Sequence, residues 1–60
     1  MTPTPDEVDA VFRFVAIWHL YVEGLPYQYG EPPSWQQVRA CESAAIEALH
    51  AMRRRADKHG

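Results

Sequence analysis

TPDEVDAVFRFVAIWHLYVEG, residues 4–24, is the stretch on which the fold turns. It opens with a threonine, a proline at the first helical position and a glutamate three residues after the threonine. Thr4 can accept from the free N–H groups of a first helical turn while Glu7 reaches back, a capping box. Asp6 and Glu7 also suit the positive end of a helix dipole. Gly24 is a natural stop, and Leu25-Pro26 cannot easily continue a helix. The signals predict a helix over about residues 5–23. Residues 11–17 could be read as a strand, but the cap and the length favour helix.

At 100° per residue this helix has two apolar faces. Val8, Val11, Val15, Trp18 and Val22 form the first, with Phe12 at its edge. Ala10, Phe14, Ile17 and Tyr21 form the second. Only a narrow strip through Asp9, Arg13, Ala16 and Glu23 is polar, and Leu20 falls inside it. One partner helix can cover one face, not both. An apolar arc this wide belongs to a helix with neighbours on several sides. Its β-branched residues lower helix propensity, so packing must hold it.

Residues 24–33 hold two glycines and three prolines, which forbid regular structure. The segment also carries Leu25, Tyr27 and Tyr29, which are costly to leave in water. Ser34-Trp35-Gln36-Gln37 then repeats the capping-box signature, with Pro33 placed to pack on the first turn. A second helix is predicted over about residues 35–56. Its apolar stripe is Val38, Cys41, Ala45, Ala48, Leu49, Met52 and Ala56, opposite Arg39, Ser43, Glu47, His50 and Arg54. Large residues on the first helix and small ones on the second make complementary surfaces. Glu42 and Arg53 stand at the stripe's margin as rim charges. No heptad register lasts long enough for a long coiled coil.

The fold class is therefore all-α: an antiparallel two-helix hairpin, one domain over residues 1–60, with a frayed tail at 57–60. A chain of 60 residues buries only roughly 60% of its unfolded surface, so its own core is marginal. One cysteine, Cys41, excludes an internal disulfide. A hydrophobic fraction of 47% is too high for a disordered chain. Association is the remaining route to stability, most simply a dimer forming a four-helix bundle, or a larger helical oligomer.

Charge is unevenly placed. Residues 1–33 carry Asp6, Glu7, Asp9, Glu23 and Glu31 against Arg13 alone, a net −4. Residues 34–60 carry Arg39, Arg53, Arg54, Arg55 and Lys58 against Glu42, Glu47 and Asp57, a net +2. An antiparallel hairpin sets the acidic start of one helix beside the basic end of the other. Arg53, Arg54, Arg55 and Lys58 could instead contact nucleic acid. The whole chain is not basic, and a ten-residue loop with three prolines is no helix-turn-helix, so end-matching is favoured.

Little points to chemistry. No two of Cys41, His19, His50 and His59 have paired metal-ligand spacing. Cys41 and His50 point to different sides of one helix, and two helices are not expected to build a pocket of the usual ~300 Å³. No enzyme activity, metal or cofactor is expected. Met1–Glu7 lacks a basic signal region, and Val8–Val22 is shorter than a membrane span and interrupted by charge. A soluble, cytoplasmic protein without membrane contact is the expectation. The function expected is protein–protein interaction, through self-association or docking on a larger protein as adaptor or inhibitor. Phe14, Ile17, Trp18 and Tyr21 are the candidate self-association interface. Tyr27, Tyr29 and Trp35 are a second candidate partner surface.

Overall fold

Both capping boxes form, and they set the starts of the two helices. The Glu7 N–H donates to Thr4 Oγ1 at 3.2 Å, and the Thr4 N–H donates to Glu7 Oε1 at 2.8 Å. The Gln37 N–H donates to Ser34 Oγ at 3.2 Å, and the Ser34 N–H donates to Gln37 Oε1 at 2.7 Å. In the computed structural model, which describes residues 3–59, α1 spans Pro5–Glu23 and α2 spans Trp35–His59. The helices pack against each other as an all-α hairpin 45 × 17 × 15 Å in extent. No named strand occurs among the described residues.

Gly24 ends α1 in the left-handed conformation at φ 68°. The Leu25 N–H donates to the Leu20 carbonyl at 2.9 Å, and the Gly24 N–H to Tyr21 at 3.3 Å. This is a Schellman closure, and it satisfies carbonyls that the helix end would leave unpaired. The far end of α2 differs from expectation. The helix runs to His59, three residues past the expected bound at 56, and Gly60 lies outside the described residues. Neither glycine nor proline interrupts residues 35–59, and Arg55 anchors the last turns.

The contact between the helices follows a three–four spacing on both sides. On α1, Glu7, Ala10, Phe14 and Ile17 are buried or half-buried, and Tyr21 continues the row. On α2, Val38, Cys41, Ala45, Ala48, Met52 and Arg55 are buried or half-buried. Such spacing keeps one seam of each helix facing its neighbour. Leu49 and Ala56, expected in the stripe, are exposed, and Arg55 takes the inward position seven residues after Ala48. Ile17 at 3% and Val38 at 1% exposure are the large members of the core. Ala45, Ala48 and Pro33 complete it. The alanines leave room for the bulk of α1, so the core is tight but small.

The open end is clasped by charge. The Arg55 guanidinium forks onto Glu7, with Nη1 donating to Oε2 and Nη2 to Oε1. Glu7 thus caps α1 and ties it to the last turns of α2. Arg55, followed by the backbone N–H of Thr4, holds the Glu7 carboxyl at about 2, well below its ordinary 4.5. The acidic group is favoured in its charged form by folding. Its contribution is therefore complete above about pH 4.5 and is lost as pH falls through about 2. Urea midpoints measured across that window should fall with pH in the wild type. Arg55→Met should be less stable above it and should show a visibly flatter slope.

Candidate interaction surface

The seam that α2 covers on α1 is the second apolar face, the one holding Phe14 and Ile17. Both were expected at a self-association interface. Ile17 is instead sealed inside the hairpin, and Phe14 is half-buried there. The reason is fit: this face alone combines large side chains for the alanines of α2 with Glu7 for Arg55. Trp18 and Tyr21 occupy an intermediate place. Phe14, Trp18, Tyr21 and Trp35 form a row of tilted rings with centroids 6.4, 6.0 and 5.6 Å apart. Trp18 and Tyr21 nevertheless keep 45% and 38% of their surface exposed.

The first apolar face of α1 is left uncovered. Val8, Phe12, Val15 and Val22 are exposed, Phe12 at 73%. On α2, Ile46 and Leu49 are also exposed. Val8, Val11, Phe12, Val15, Leu49 and Met52 line one apolar groove of about 390 Å³ on this flank. A second groove, of about 340 Å³, lies among Asp6, Asp9, Ala10, Arg13, Ala40 and Ala44. Arg13 and Asp9 pair there at 2.9 Å. The grooves are larger than expected of two helices, but both are open to solvent rather than enclosed. The hairpin thus has an apolar flank and a flank of charges and small residues. Ile46 was not placed on either face from sequence. Its signal is the spacing Glu42, Ile46, Leu49, Arg53, a second row on α2 beside the buried one.

The loop residues have different surroundings. Trp35 packs with its ring tilted against Tyr21 and lies under the Arg39 guanidinium, 5.7 Å from the ring centroid. Tyr27 lines a groove with Ile17, Leu20 and Cys41. Tyr29 stands free at 99% exposure on the tip of a tight turn. There the Glu31 N–H donates to the Gln28 carbonyl at 3.0 Å. Gln37 Nε2 donates to Gln28 Oε1 at 3.1 Å and ties this turn to α2. Tyr29 and Gly30 both have positive φ, 54° and 77°. The pattern suits a primed turn, whose first central position prefers asparagine, aspartate or glycine.

Of the basic cluster, Arg53, Arg54 and Lys58 are exposed and Arg55 is committed to Glu7. Cys41 is half-buried in the seam, and His19 and His50 are exposed. No cluster of three metal-ligating side chains occurs among the described residues. Among them, too, no helix is long and apolar enough to cross a membrane. Comparison with protein-family models, with curated proteins and with solved structures finds no match.

Tyr29 holds a bulky side chain at a backbone conformation that costs an L-residue about 1–2 kcal/mol. Tyr29→Asn should raise stability by about 1 kcal/mol in urea unfolding, because asparagine tolerates this conformation and no burial is lost.

Proposed function

We propose that this chain is a non-enzymatic protein–protein interaction module that works through its apolar flank. The uncovered face of α1, continued by Ile46 and Leu49 on α2, supports this reading. Apolar patches of this extent on small chains mark contact surfaces. Phe12 is its most exposed large side chain and the natural anchor, since aromatic residues dominate interface energetics. Self-association is the first form the interaction takes, and docking on a larger protein as adaptor or inhibitor is the second. The opposite flank, with its ion pair and small side chains, is suited to solvent. Nucleic-acid binding ranks below both. It would rest on Arg53, Arg54 and Lys58, since Arg55 is held by Glu7.

A photo-crosslinking amino acid tests the surface directly. Placed at Phe12 in the native cell, it should yield discrete protein adducts. Placed at Glu47, on the outer side of α2, it should yield none. Equal adduct patterns at the two positions would overturn the assignment of the flank.

A further inference from the structure

The flank has a symmetry that says what covers it. On α1, the exposed row is Val8, Phe12, Val15, Trp18 and Val22, with spacings of four, three, three and four. That spacing fits another helix laid along it. The row is palindromic in character. Reversed about Val15, Val8 meets Val22 and Phe12 meets Trp18, so every pairing is apolar. On α2, the parallel row is Glu42, Ile46, Leu49 and Arg53, with spacings of four, three and four. Reversed about its midpoint, Ile46 meets Leu49 and Glu42 meets Arg53. Apolar again pairs with apolar, and opposite charges pair twice.

The two centres also lie near one level along the hairpin, since Leu49 shares a groove with Val11, Phe12 and Val15. The Glu7–Arg55 clasp sets the register at the open end of the helices. Eight residues inward from Glu7 is Val15, and eight inward from Arg55 is Glu47, inside the Ile46–Leu49 turn. A single twofold axis lying in the flank can therefore reverse both rows at once. A flank 45 by 17 Å presents on the order of 800 Å² in projection, which is what each partner gives to a standard interface.

The geometry points to a second copy of this chain as the occupant. It lies antiparallel and flank to flank, with α1 on the partner's α1 and α2 on the partner's α2. This inference rests on the flank being the contact surface, and it adds the partner and its orientation. The alternative twofold, along the helices, would lay the apolar row of α1 on a row of α2 that carries Glu42 and Arg53. The antiparallel pair avoids that mismatch. Because the opposite flank is not apolar, the assembly closes as a dimer.

A charge swap tests orientation and partner together. Glu42 and Arg53 are eleven residues apart on one helix, about 16 Å, so they cannot meet within a chain, where Glu42 instead lies 3.8 Å from Arg39. Glu42→Arg and Arg53→Glu should each raise the dimer dissociation constant roughly tenfold in dilution calorimetry, with helix content unchanged. The double variant should recover to within about threefold of wild type. As a second reading, Val15→Cys in a Cys41→Ser background should form a disulfide-linked dimer under mild oxidation, because Val15 sits at the axis. Self-association without charge-swap recovery and without the Val15 crosslink would overturn the antiparallel pair. A chain that stays monomeric, while the Phe12 crosslinker captures a different protein, would overturn the second copy and leave the flank reading standing. A monomer with no Phe12 adduct would overturn both.

Discussion

The constraint that organises this molecule is the circumference of α1. Its apolar side chains form two adjacent rows, offset by one residue: Ala10, Phe14, Ile17 and Tyr21, then Val11, Val15, Trp18 and Val22. A single antiparallel helix can cover one row. α2 covers the first, because its alanines accept the bulk of Phe14 and Ile17 and because Arg55 reaches Glu7 from that side. Everything on the other flank follows from this choice. Val8, Phe12 and Val15 are left in water, and Leu49 and Met52 of α2 share their groove.

The loop and the clasp hold the hairpin from its two ends. At the loop end, a Schellman closure at Gly24 turns the chain, and Trp35 packs against Tyr21. At the open end, Glu7 serves two purposes through the same carboxylate, capping its own helix and receiving Arg55. These contacts align the helices without adding much buried apolar area. Among the described residues the core has two large members, Ile17 and Val38. A chain with so few sealed side chains has a small core of its own.

Much of this was legible in the residues. Thr4 with Glu7, and Ser34 with Gln37, announce both helix starts because capping is a local interaction between residues three apart. Gly24 announces the stop for the same reason. The acidic start facing the basic end was also readable, although not that Arg55 rather than Arg53 or Arg54 would reach Glu7. That choice depends on the rotation of α2, set by Val38 and Ala45 far from the arginines. How α1 is turned toward α2 likewise decides which of its rows is covered. Composition made the two rows nearly equal, so Phe14 and Ile17 read as outward anchors when they are in fact the inner seam. Ile46 escaped notice because it flanks the buried stripe instead of belonging to it. The strain at Tyr29 could not be read at all, since a tyrosine is not the residue that a turn of this geometry calls for.

If association completes the core, stability must depend on chain concentration, because mass action favours the assembled state. Thermal unfolding followed by circular dichroism, at chain concentrations spanning two orders of magnitude, tests this most directly. A hairpin that buries its valine flank against a second copy melts at a midpoint that climbs steadily with concentration. A midpoint that stays fixed across the range, with full helix content throughout, would contradict that dependence.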